Sequence, residues 1–208
     1  MGPLVGRDPR EAVLRLVSAP RGERRQVGIH WRGLLRRARW TASTQAGPGF
    51  GARPATLRYL KARDLGDRRL FIVDFTCSDG GTSEWAVIAE RKEDGWHASG
   101  ICGGSAVKDR RGTGLARTEP WANLGGQWGP DRCVISGLIE GPSPLLVDRV
   151  RLRVGDEIRD EDLVEDQRVL LFTAAPGDGP VHVEMLDGSG AVIRSQAWPD
   201  RRETSLSA

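Results

Sequence analysis

TEPWANLGGQWGPD, running from Thr118 to Asp131, is the stretch on which the reading of the fold turns. It sets Pro120, Gly125, Gly126, Gly129 and Pro130 around two tryptophans, Trp121 and Trp128. Glycine and proline at that density punctuate a chain and rarely allow a regular element. The tryptophans argue against a free linker, because a large ring leaves water where it can and pins the crossing to its neighbours. The stretch reads as an anchored hinge over 120–130, between one unit over 1–119 and another over 131–199, with a polar tail over 200–208.

On the N-terminal side of the hinge the hydrophobic period is two. Segments 57–63, 70–77, 84–90 and 96–102 are separated by Asp64-Leu65-Gly66-Asp67, Asp79-Gly80-Gly81 and Glu93-Asp94-Gly95. Short glycine-containing loops join antiparallel neighbours, so the four segments predict a meander. Alternation places Phe71, Val73, Phe75, Trp85, Val87, Trp96 and Ala98 on its inner face. Ahead of it, Asp8 supplies an N-cap, Pro9 the first helical position and Glu11 the third position of a capping box. Val13, Leu16 and Val17 then share a helical face expected to cover one side of the meander, and Pro20 ends the run. Residues 26–43 fit two patterns. As a helix they carry Val27, Trp31, Leu34, Leu35 and Ala38 on one stripe and Arg32, Arg36 and Arg39 on another; as strands, Val27, Ile29 and Trp31 alternate with Gly28, His30 and Arg32.

Beyond the hinge, short strands are expected over 133–139, 145–154, 167–173, 181–186 and 191–198, with a weaker one near Leu163. Asp187-Gly188-Ser189-Gly190 closes the last pair into a hairpin. Short strands at regular spacing predict a sandwich or small barrel. The fold class is therefore mainly β, with two antiparallel units. VHVEMLDGSGAVIRSQAW (181–198), preceded by RVLLFTA (168–174), resembles the closing strands of immunoglobulin- or fibronectin-like sandwich modules. The whole chain is similar to uncharacterised β-rich proteins of actinobacteria. The Cys…Trp…Cys pattern of true immunoglobulin domains is absent, and the resemblance implies a fold class without a function.

Composition describes an ordinary globular chain: 28% charged and 38% hydrophobic residues, with a mean hydropathy of -0.40. No apolar run approaches the roughly 20 residues that span a bilayer. The N-terminus lacks the apolar core of a signal peptide, so the expected location is the cytoplasm. Cys77, Cys102 and Cys133 form no CxxC pair and suit a reducing compartment. Residues 1–58 hold 12 Arg against Asp8, Glu11 and Glu23. Such asymmetry marks a nucleic-acid or membrane contact, or two parts of a chain that attract each other. Scarce Lys beside abundant Arg, Gly and Ala also matches a GC-rich codon bias, which discounts each Arg cluster.

Catalytic signatures are mostly missing. There is no GxSxG elbow, P-loop or HExxH, and GTGLAR (112–117) lacks the third glycine of a dinucleotide fingerprint. A zinc site from Cys77, His97 and Cys102 is disfavoured because His97 points away from the face of Cys102. No metal and no cofactor is expected. His97 and His182 read as surface groups, and Cys77 and Cys102 as small core hydrophobes. Two basic clusters are the binding candidates. Arg24, Arg25, Arg32, Arg36, Arg37 and Arg39, interleaved with Trp31 and Trp40, combine phosphate-seeking charge with rings that stack on bases. Arg149, Arg151 and Arg153 alternate with Val150, Leu152 and Val154 and line the outer face of one strand, where they serve an acidic partner or keep the sheet from pairing with other chains. The acidic run from Asp156 to Asp166 offers them the nearer counter-charge. The expected function is a non-catalytic binding or scaffold protein that uses sheet faces and the groove between its units to hold a protein partner. A nucleic-acid-binding protein acting through Arg24 to Trp40 is the alternative, and a small enzyme joining Cys102, His97 or His182 to an acid is the third.

Overall fold

A computed structural model describes residues 5–19, 50–105, 119–128, 131–141, 144–175 and 177–198. The described elements are the helix α1 (Pro9–Ser18) and strands β1 (Val5–Gly6), β2 (Arg58–Asp64), β3 (Arg68–Thr76), β4 (Thr82–Lys92), β5 (Gly95–Ser105), β6 (Trp121–Trp128), β7 (Cys133–Glu140), β8 (Arg149–Val154), β9 (Glu157–Leu163), β10 (Arg168–Thr173), β11 (Val181–Leu186) and β12 (Val192–Trp198). They form three antiparallel sheets, ordered β1-β5-β4-β3-β2, β10-β7-β6 and β12-β11-β8-β9. The chain is mainly β, as its period predicts.

α1 starts where the cap residues place it. The Asp8 carboxylate accepts the Glu11 N–H at 2.8 Å, while Glu11 reaches back to the N–H of Arg7, one residue before the cap. That backbone hydrogen bond, with the guanidinium groups of Arg15 and Arg7, pulls the Glu11 carboxyl down to about 2. Val13, Leu16 and Val17 pack on Phe71, Val73, Phe75, Val87 and Ala89, and Trp85, Trp96 and Ala98 join this cluster half-buried. The expected inner face of the meander is the face under the helix.

The opposite face is also buried. Leu70, Ile72, Ala86 and Ile88 pack against Val134 of β7 and Leu170 of β10, with Leu60, Leu65 and Phe172 at the margin. A sheet covered on both sides needs apolar residues at every position rather than at alternate ones, which is why LFIV (70–73) and AVIA (86–89) read as unbroken runs. The reverse side of the three-stranded sheet packs Ile135, Ile139, Val169 and Leu171 on Val150, Leu152, Val183 and Met185 of the four-stranded one. Helix, five strands, three strands and four strands thus stack as successive layers, and the two halves of the chain share a core.

The stretch expected to be an irregular hinge is instead strand β6, paired with β7 from Trp121 opposite Glu140 to Trp128 opposite Cys133. Gly126 serves close approach rather than turning. A Cβ on Gly126 would lie 2.6 Å from the Val134 carbonyl and 2.9 Å from the Trp198 ring, which covers the gap. Across the ladder, a Cβ on Gly137 would sit 2.0 Å from the Asn123 carbonyl. Two further boundaries differ. Residues 144–146 form a 3-10 turn, so the strand predicted from 145 begins at Arg149. The weak strand near Leu163 is the full strand β9, built from the acidic run.

β9 is acidic because it closes an edge. β10 lies at the side of the three-stranded sheet, so its outward N–H and C=O groups need partners. Asp162 accepts the Leu170 N–H at 2.7 Å and Asp160 the Phe172 N–H at 2.6 Å. From β2, Lys61 donates to the Arg168 carbonyl at 3.3 Å and Arg63 to the Leu170 carbonyl at 2.8 Å. The same cations pair with the same carboxylates: Lys61 with Asp162 at 2.9 Å, and Arg63 with Asp160. The Lys61 side chain is 1% exposed and that of Asp162 9%. Burial pushes the Asp162 carboxyl above its ordinary range, against the pull of the Leu170 amide and the Lys61 ammonium. At the other side, Gln196 of β12 seals β6 by accepting the Ala122 N–H at 3.2 Å and donating to its carbonyl at 2.8 Å.

Removing one partner of a buried pair strands the other charge, so Lys61→Met is expected to destabilise the protein by about 3–5 kcal/mol in urea denaturation. Lys61→Met combined with Asp162→Leu is expected to cost less than Lys61→Met alone. The turn from β9 into β10 holds Asp166 at φ 48° and Gln167 at φ 64°, closed by reciprocal backbone bonds between Glu165 and Arg168. Positive φ at both central residues suits Asn-Gly, and Asp166→Asn with Gln167→Gly is expected to raise stability in urea denaturation by about 1 kcal/mol.

Candidate interaction surface

β8 positions the arginine row by strict alternation. Val150 and Leu152 point into the sandwich core and Val154 is buried on the same face, which leaves Arg149, Arg151 and Arg153 on the outer face of the last sheet. Glu161 lies opposite Arg151 on β9 and Glu184 opposite Arg151 on β11. Arg149 and Arg151 donate to Glu161 at 3.1 and 3.0 Å, and Arg153 to Glu184 at 2.8 Å. Arg151 also stands 3.8 Å from Glu184, and Arg149 3.7 Å from Asp148. Partial burial pushes the Glu161 carboxyl up, but the hydrogen bonds from Arg149 and Arg151 reverse that and hold it below the ordinary carboxylate range. Three guanidinium groups therefore face three carboxylates, and a phosphate would have to displace them. The nearer counter-charge is in place, although it comes from both neighbouring strands rather than from the acidic run alone.

Apolar side chains flank this charged row. Ile158 lies opposite Arg153 and Leu163 opposite Arg149, so both share the outer face; they are 52% and 53% exposed. Val192 and Ile193 are exposed on β12, the strand at the other margin of the sheet. Glu184 and Leu186, opposite Arg151 and Arg149 on the same face, are buried, so its exposed apolar groups lie toward its margins.

The other candidates are dispersed. Arg24, Arg25, Trp31, Arg32, Arg36, Arg37, Arg39 and Trp40 lie outside the described residues. Trp121 on β6 carries the Arg194 guanidinium over its ring, 5.1 Å from the centroid; Trp128 ends the same strand. His97 pairs with Asp94 at 2.6 Å at a hairpin end, and His182 sits on the outer face opposite Arg153. Cys77 is buried in the core under α1, 3.8 Å from the Ser83 hydroxyl. Among the described residues no three His, Cys, Asp or Glu side chains converge on a point where a metal could sit. Two shallow concavities both lie along α1. One, of about 500 Å³, is lined by Arg7, Arg10, Leu14, Leu57 and Tyr59, and the other, of about 440 Å³, by Ser18, Phe50, Cys77 and Asp79. Neither is lined by a histidine, and neither lies between the two halves of the chain. Among the described residues no helix is long and apolar enough to cross a membrane.

Sequence reasoning found the arginine row through its alternation but missed Ile158 and Leu163 as exposed apolar groups, because the strand expected near Leu163 had no partner assigned to it. Lys61, Arg63, Asp160 and Asp162 carried no local signal, since their partners lie about a hundred residues away along the chain. No protein-family model, curated protein or solved structure matches the chain.

Burial pushes the Cys133 thiol up to about 12, which leaves almost no thiolate near neutral pH. Thiol labelling at pH 8 with mass-spectrometric mapping is expected to leave Cys133 unmodified in the native protein and to reach it only in denaturant.

Proposed function

We propose that this chain is a non-catalytic binding or scaffold protein that holds a protein partner on the outer face of its last sheet. The observation that carries the reading is that, among the described residues, Ile158, Leu163 and Val192 stand exposed on this face beside the paired arginines, whereas the other described sheets are covered by neighbouring layers. A surface with charges neutralised in place and large apolar groups at its margins suits a protein partner better than a polyanion.

The same proposal takes β6 to β12 as an immunoglobulin- or fibronectin-like module. Of these seven strands, the first, second and fifth share one sheet, and the third, fourth, sixth and seventh the other. That order departs from the immunoglobulin constant arrangement only in the fourth strand, which lies beside the third rather than the fifth. Buried, unpaired Cys77 and Cys133 support a reducing compartment such as the cytoplasm.

A photo-crosslinking amino acid placed at Leu163 or Ile158, with Leu14 on α1 as the control position, tests the surface in cells. The expected result is a protease-sensitive adduct of defined mass from 163 and 158 and none from 14. No adduct, or the same adduct from all three positions, contradicts the reading; a nuclease-sensitive adduct would favour nucleic-acid binding instead. Leu163→Lys is expected to abolish the adduct formed from position 158 while changing stability by no more than about 0.5 kcal/mol, as measured by urea denaturation.

A further inference from the structure

We draw no further inference here: the strongest candidate, the side of β5 that runs past the two-residue strand β1 in the five-stranded sheet, carries nothing because the described residues do not show what covers it.

Discussion

Three sheets end at one place, and what joins them there is the buried pair of Lys61 and Asp162 beside the partly buried pair of Arg63 and Asp160. Lys61 and Arg63 come from the side strand of the first sheet, and Asp160 and Asp162 from the side strand of the third. Between them runs β10, the side strand of the middle sheet, whose outward amides and carbonyls bind to both sets. A strand edge buried without partners costs free energy at every group. Here side chains complete the ladder that no fourth strand supplies. Desolvation consumes much of what such a pair gains, so its effect is felt mainly when one member is lost. Each carboxylate meets one amide of β10 and one cation of β2 together.

That junction decides which surfaces remain open. With β10 held by Asp160 and Asp162, and β6 by Gln196, the middle sheet is closed at both sides and buried on both faces. The five-stranded sheet gives one face to the middle sheet and the other to α1. Among the described residues, the far side of the last sheet is where Ile158, Leu163 and Val192 stand exposed beside the arginine row. Its centre is neutralised by Glu161 and Glu184, which keeps three neighbouring arginines from repelling one another and suits the surface to a partner of mixed character.

Much of the local structure was legible in the sequence because it rests on short-range rules. Asp8 and Glu11 mark the helix start, the Gly-containing loops mark the meander, and period two marks the face under α1. The rest depends on contacts distant along the chain. Glycine in β6 looked like punctuation, since nothing nearby tells that Trp198 and the Val134 carbonyl occupy the space a side chain would need. The acidic run looked like solvated counter-charge, since Asp160 and Asp162 acquire their meaning only beside Lys61, Arg63 and the amides of β10. The unbroken runs at 70–73 and 86–89 did contain the sign of a sheet covered on both faces, and reading only their alternate positions hid it. On the outer surface, alternation disclosed the arginines of β8 directly, whereas Ile158 and Leu163 required the pairing of β9 with β8 to be known.

The central claim is that side chains from two other sheets close the edge of β10. Native-state hydrogen exchange of the Leu170 and Phe172 amides measures it most directly, because an amide held in this way opens only when the whole structure does. The account predicts that both exchange as slowly as the Val169 and Leu171 amides of the same strand, through global unfolding. Fast exchange at 170 and 172, beside protection at 169 and 171, would contradict it and return β10 to the status of an open edge.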